Sequence, residues 1–115
     1  MKIPGPDHPI TIMPTSGHVV VKAGGKTVAD TRAALTLQEA SYPPVQYIPR
    51  ADADMSLLTR TDHTTHCPYK GDASYYSLPG AENAVWTYET PYAAVAEIAG
   101  HLAFYPNRVD SIEVA

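Results

Sequence analysis

The chain has 115 residues, of which 44% are hydrophobic, and a formal net charge of −4 at pH 7. This length predicts one domain, residues 1–115, that can bury its own core. No run reaches the ~20 apolar residues of a membrane helix, no apolar secretory segment is visible, and the single cysteine excludes an internal disulfide. We therefore expect a cytoplasmic protein without membrane contact, and the scattered basic residues argue against nucleic acid as a partner.

Short strands separated by turns are the main prediction along the chain, because 11 prolines and 7 glycines leave little room for long helices. Residues 1–9 contain three prolines and are expected to form an extended N-terminal arm. In the segment HVVVKAGGKTVADT, Gly24 and Gly25 suit the positive φ angles of a tight hairpin turn, which would pair Val21 with Val28. Further strands are predicted at residues 10–13, 34–39, 45–48, 57–61, 73–78, 84–88, 102–105 and 109–114.

Near residues 91–99 the spacing of apolar residues changes from the two-residue repeat of a strand to the repeat of a helix. This change predicts one short α-helix there. Thr90 is a good N-cap, Pro91 suits the first helical position, and Gly100 is placed to end the helix. The spacing i, i+3, i+4, i+7 of an amphipathic helix is followed by Tyr92, Val95, Ala96 and Ala99. The predicted fold class is thus mainly β, a small antiparallel domain with one short helix.

Several segments occur in the order seen in a known family. They are PRAD (residues 49–52), LL (57–58), TTHCPYKGDASYY (64–76), AVWTYETP (84–91) and IAGHLAFYP (98–106). From about Val19 to Val109 the chain resembles the domain-of-unknown-function 427 family (DUF427) of small bacterial and fungal proteins, which also carries the label nucleotidyltransferase. The resemblance implies a β-tent-like fold, in which two antiparallel sheets meet at an angle and related proteins bind ligands in the cleft between them.

The segment TDHTTHCPYKGDASYY carries the candidates for metal and thiol chemistry. A zinc site needs at least three nitrogen or sulfur ligands, and His63 and His66 would point to opposite faces of a strand. β-tent relatives usually hold structural zinc on two Cys-x-x-Cys pairs, whereas this chain has one cysteine. We therefore predict no metal site, and the sequence does not indicate a cofactor. Cys67 would be nucleophilic if His66 or Lys70 stabilised its thiolate, and a packed, unreactive thiol is the alternative.

Nucleotidyl transfer would need carboxylates that hold Mg²⁺ beside a glycine-rich phosphate loop. Asp52 and Asp54 could supply the carboxylates, but Lys70-Gly71 is only a fragment of a phosphate loop. An ion pair between Arg50 and Asp52 is the structural alternative. If the protein is an enzyme, we predict that the chemistry lies on Asp52, His66 and Cys67.

The aromatic residues favour a binding site. Trp86 and Tyr88 share one face of a strand, and Tyr75 can join them from the preceding strand. Aromatic walls with a few polar groups are typical of small-molecule pockets, although core packing uses the same rings. We predict that a small polar or anionic ligand binds there, beside the Cys-Pro-Tyr-Lys-Gly turn, and contacts Arg50 and Lys70. The alternatives are an enzyme and a structural domain that forms a homodimer through an exposed strand edge.

Overall fold

The computed structural model describes the whole chain, from Met1 to Ala115. Its regular structure is ten strands and four short 3₁₀ helices, which confirms the mainly β fold class. None of the helices could span a membrane. The strands are β1 (Ile10–Pro14), β2 (Val19–Ala23), β3 (Lys26–Thr31), β4 (Leu35–Glu39), β5 (Val45–Tyr47), β6 (Thr59–Cys67), β7 (Gly71–Leu78), β8 (Ala81–Thr87), β9 (Leu102–Phe104) and β10 (Ser111–Val114).

The strands form three antiparallel sheets, where the family resemblance implied two. Their orders are β1-β4-β5, β10-β2-β3 and β6-β7-β8-β9. Ile48, just after β5, exchanges two backbone hydrogen bonds of 2.8 Å with Leu102 at the start of β9. This bridge joins the first sheet to the edge of the four-stranded sheet, and it places β5 next to β9.

The Gly24-Gly25 hairpin forms as predicted, with φ angles of 58° and 76°. Its register differs from the prediction, because Val21 pairs with Ala29 and Lys22 pairs with Thr27. Val28 is therefore the extra residue of a β-bulge. The bulge turns two consecutive apolar side chains inward, since Val28 and Ala29 are each only 2% exposed, whereas regular alternation would expose one of them.

The predicted α-helix at residues 91–99 is instead a 3₁₀ helix, Ala93–Ile98, that is interrupted at Val95 (φ −125°, ψ 27°). Its two buried residues, Val95 and Ile98, are three positions apart, which matches the three-residue repeat of a 3₁₀ helix. Thr90 does not cap it, because the helix begins after Tyr92. The other 3₁₀ helices are Arg50–Asp52, Met55–Leu57 and Pro106–Arg108.

The buried hydrophobic side chains fall into two groups on opposite faces of the four-stranded sheet. Along β7, Ala73 and Tyr75 face one group while Tyr76 and Leu78 face the other. The first group, here called the valine-rich core, is Val19, Val21, Val28, Ala29, Ala34, Ile48, Leu58, Tyr76, Leu78, Ala84, Val85, Leu102 and Phe104. The second group, the tyrosine core, is Leu37, Tyr47, Ala73, Tyr75, Tyr88, Val95, Ile98 and Ala103.

Candidate functional site

A cavity of about 230 Å³ opens beside the tyrosine core. Four of the five predicted ligand-binding residues line it: Lys70, Tyr75, Trp86 and Tyr88. The opposite wall comes from β4, β5 and the residues between them, and Tyr105 closes one side. The structure therefore brings side chains from distant parts of the chain to one cavity.

Strand pairing explains why the rings meet. Tyr75 on β7 lies directly opposite Trp86 on β8, so both side chains occupy the same face of the sheet. The Trp86 indole Nε1 donates a hydrogen bond of 3.2 Å to the Tyr47 hydroxyl, and the two rings are perpendicular. Tyr105 packs against Trp86 with ring centroids 4.5 Å apart. The indole is thus held in place by contacts on two sides.

The Cys-Pro-Tyr-Lys-Gly turn directs Lys70 inward. The Lys70 amide donates to the Cys67 carbonyl at 3.2 Å, and the Lys70 carbonyl accepts from Tyr92 at 3.0 Å. Gly71 continues the chain at φ 108°, a backbone conformation that favours glycine. Lys70 is left only 7% exposed, and a buried ammonium requires a partner of opposite charge.

Glu39 supplies that charge. The Lys70 ammonium donates to Glu39 Oε1, and His8 Nε2 lies 2.7 Å from Glu39 Oε2. Burial alone would raise the pKa of the Glu39 carboxyl, but the hydrogen bonds and charges of Lys70 and His8 hold it below its usual range. Lys70 is therefore neutralised within the protein, and the cavity holds an ion pair where we had expected a free cation.

The N-terminal arm is part of this arrangement. The His8 ring stacks on Tyr69 with centroids 4.0 Å apart, and the Lys2 amide donates to the Pro68 carbonyl at 2.7 Å. The arm therefore packs on the Cys-Pro-Tyr-Lys-Gly turn. Through His8 it also contacts the Glu39 carboxylate oxygen that Lys70 does not use.

Tyrosine hydroxyls provide the other polar groups of the cavity. The Tyr75 hydroxyl lies 2.9 Å from Thr65 Oγ1 and 3.3 Å from the Tyr105 hydroxyl. Burial raises the pKa values of Tyr47 and Tyr88 well above the usual range, and burial together with the Tyr75 hydrogen bond raises that of Tyr105 to about 12. These phenols are therefore protonated at neutral pH and can act as hydrogen-bond donors.

The Tyr88 hydroxyl differs from the others because no group of the protein is hydrogen-bonded to it. Every fully buried polar side-chain atom in the structure has a partner, so this hydroxyl is not sealed in the core. It reaches the open space of the cavity that Tyr88 lines. It is thus available to a molecule that enters the cavity.

The family model described as domain of unknown function (DUF427), labelled NTP_transf_9, matches residues 11–115. The chain belongs to the DUF427 family. The matched residues include the entire lining of the cavity, whereas His8 lies before them. No curated protein matches this DUF427 chain.

Arg50 and Asp52 of the DUF427 domain do not reach the cavity. The Arg50 guanidinium donates at 2.9 Å to the hydroxyl of Tyr76, which faces the valine-rich core. The Asp52 carboxylate accepts at 2.7 Å from the hydroxyl of Thr31 on β3. The four-stranded sheet separates both residues from Lys70 and Tyr88.

The remaining candidates for chemistry are also dispersed. His66 is exposed and its Nδ1 lies 2.7 Å from Asp72, while Cys67 is half-buried and packs against the tyrosine core. Asp54 accepts from the Ser56 amide at 3.1 Å and caps a 3₁₀ helix. No group of three or more His, Cys, Asp or Glu side chains is placed to hold a metal ion. Asp52, His66 and Cys67 therefore do not form one constellation.

Several cavity residues were missed at the sequence level. The clearest signal was available for Glu39, because alternation along β4 puts it on the same face as Leu35 and Leu37. Tyr47 and Tyr105 carried no such signal, since Tyr47 ends the three-residue strand β5 and Tyr105 follows the three-residue strand β9. His8 could not have been found from local pattern, as its contacts are made across 31 residues of sequence.

Trp86 also lines a second space, a mostly apolar groove of about 330 Å³ on the other side of β5. Its walls include Val21, Phe104 and Ile112. The indole therefore lies between a polar cavity and an apolar groove, and its fluorescence should respond to changes in either one.

Proposed function

We propose that this DUF427 domain binds a small polar ligand in the cavity beside the Cys-Pro-Tyr-Lys-Gly turn. The observation that supports it is the convergence of Lys70, Tyr75, Trp86 and Tyr88 on one cavity that also exposes a hydroxyl without a partner. Small-molecule pockets typically measure about 300–1,000 Å³. The volume of about 230 Å³ therefore favours a compact ligand or one ring of a larger molecule.

Charge complementarity favours a neutral ligand. The charges of Glu39 and Lys70, the only charged residues of the lining, compensate each other, so an ionic ligand would add a charge that has no counter-charge. The Tyr88 hydroxyl can donate a hydrogen bond, so the ligand should present an acceptor such as a carbonyl oxygen or a ring nitrogen. Trp86 and Tyr105 offer aromatic faces for a flat ring. A flat neutral ring that carries a hydrogen-bond acceptor meets these conditions.

The fluorescence of Trp86 provides a direct test, because it is the only tryptophan of the chain. Benzamide, benzoate and benzylamine form a matched set of neutral, anionic and cationic probes, to be titrated alongside a library of small polar fragments. We expect saturable fluorescence changes that favour benzamide over its charged analogues. Binding should weaken by about three- to tenfold in Tyr88→Phe, which removes one hydrogen bond.

Tyr92→Phe is the matched control, since it removes the hydroxyl of a tyrosine that does not line the cavity. Backbone amide shifts in NMR spectra would map each probe to its location. Equal affinities of Tyr88→Phe and Tyr92→Phe would argue against the cavity, as would shifts confined to other surfaces or the absence of binding by every fragment.

A further inference from the structure

Arg50 is a half-buried cation that forms no ion pair with a carboxylate of the chain. Its only side-chain hydrogen bond goes from Nη1 to the Tyr76 hydroxyl at 2.9 Å, and the ion pairs of the structure involve other residues. A guanidinium has five N–H donors, so four of them stay free. Partial burial of an unpaired charge is unfavourable.

The backbone around Arg50 is held firmly. The 3₁₀ helix Arg50–Asp52 is tied to β3 through the Asp52 carboxylate, which accepts from the buried hydroxyl of Thr31. The Asp54 amide donates at 2.8 Å to the Val28 carbonyl in the same strand. Asp52 therefore acts as a positioning residue, because it fixes the backbone from which the Arg50 side chain extends.

A second guanidinium, that of Arg60, approaches the same Tyr76 ring. The Cζ atoms of Arg50 and Arg60 are 5.4 Å and 5.9 Å from the centroid of the Tyr76 ring. Arg60 Nη2 donates to Ser74 Oγ at 3.1 Å and to the exposed carboxylate of Glu89 at 2.8 Å. The hydrogen bond from Arg60, and more weakly the charge of Arg50, lower the pKa of Glu89. The cluster thus contains two positive charges and one negative charge.

We propose that Arg50 and Arg60 form a binding site for an oxyanion, the carboxylate or phosphate group of a small molecule. The planar fork of each guanidinium matches the oxygen pairs of these groups. The Tyr76 hydroxyl accepts from Arg50, which leaves its own proton to donate to the anion. In the free protein Arg60 is hydrogen-bonded to the Glu89 carboxylate. The incoming anion replaces that carboxylate.

This site is independent of the proposed cavity. Tyr76 and Tyr75 are neighbours on β7 and point to opposite faces of the sheet, so the arginine pair and the cavity are separated by the sheet itself. Failure of one site to bind would leave the other unaffected.

The test uses inorganic phosphate and acetate as probes at low ionic strength, with binding followed by the NMR signals of the arginine Nε–H groups. We expect saturable binding to the wild type and a loss of about tenfold in Arg50→Gln, since hydrogen bonds to charged groups are the strong ones. Glu89→Gln should bind several-fold more tightly, because the competing carboxylate is removed. Arg108→Gln is the matched control, as Arg108 is exposed and bonds only the Glu82 carbonyl.

The gain in Glu89→Gln keeps the test decisive even if Arg50→Gln folds poorly. Arg50→Lys gives a second check, because it retains the charge but loses the fork and should fall between wild type and Arg50→Gln. Tighter phosphate than acetate would identify a phosphate site, and the reverse a carboxylate site. The proposal is overturned if Glu89→Gln binds no more tightly than wild type, or if Arg108→Gln weakens binding as much as Arg50→Gln.

Discussion

The two cores of this protein are built on opposite faces of one sheet and differ in chemistry. The valine-rich core contains thirteen buried residues, most of them aliphatic. The tyrosine core contains eight, three of which are tyrosines, and it adjoins the buried Glu39–Lys70 pair. Polar groups in a core lower stability unless they are fully paired. The valine-rich core therefore depends on apolar packing alone, whereas the tyrosine core also depends on the pairing of Glu39 with Lys70.

Each core is also completed by a different kind of segment. The valine-rich core is completed by the β2–β3 hairpin, whose bulge turns Val28 and Ala29 inward together. The tyrosine core is bordered by the N-terminal arm and the Cys-Pro-Tyr-Lys-Gly turn, which contribute His8 and Lys70 through charged hydrogen bonds. Substitutions in the two cores should therefore lower stability for different reasons, loss of packing in the first and loss of charge pairing in the second.

The largest effect on stability is expected from a substitution that creates a void in the valine-rich core. Ile48 is 1% exposed, so Ile48→Ala should lower the free energy of unfolding by about 2–5 kcal/mol. Urea unfolding followed by Trp86 fluorescence and circular dichroism measures the change. Ile3→Ala is the control, because Ile3 is 67% exposed. A loss below about 1 kcal/mol would contradict the assignment of Ile48 to a tightly packed core.

Breaking the ion pair should have the next largest effect. Glu39→Gln leaves the Lys70 ammonium buried without its counter-charge, and we expect a loss of about 3 kcal/mol. The exposed Glu97→Gln is the matched control. The double variant Glu39→Leu with Lys70→Met removes both charges and should recover most of the stability. If the double variant is no more stable than Glu39→Gln, the loss arises from packing rather than charge.

Acid should remove part of the same stabilisation. The pKa of Glu39 is lower in the folded protein than its usual value of 4.5, so its contribution is complete above that value and is lost as the pH falls through the folded pKa. The difference in unfolding free energy between wild type and Glu39→Gln should therefore shrink as the pH is lowered from 6 to about 3. A difference that stays constant over this range would refute the proposed linkage.

The smallest effect on stability is expected from removal of the Tyr88 hydroxyl, which has no hydrogen-bond partner in the protein. Tyr88→Phe should change stability by less than about 0.5 kcal/mol, whereas Tyr76→Phe, which deprives Arg50 of its acceptor, should cost about 1 kcal/mol. Thermal unfolding of the two variants compares one tyrosine from each core. A larger loss in Tyr88→Phe would mean that its hydroxyl is bonded within the protein and is not available to a ligand.

Strand alternation and turn chemistry, both local properties, explain what could be predicted of the site. Residues two apart on a strand share a face, which placed Trp86 with Tyr88 and would also have placed Glu39 with Leu37. The hairpin at Gly24-Gly25 followed from the need for positive φ angles. The bulge at Val28 could not be predicted, because it depends on Val28 and Ala29 both facing the core, which only the packed structure shows.

Side-chain periodicity and turns are local properties of the chain, and they sufficed to predict the mainly β class, the position of most strands, and the aromatic face of Tyr75 and Trp86. The charges of the site depend instead on long-range contacts. They bury Lys70 against Glu39, 31 residues away, and they bring Arg50 and Arg60 to the ring of Tyr76, which points to the opposite side of the sheet. Contacts of this kind depend on how the sheets stack, and no local pattern in the chain specifies that stacking.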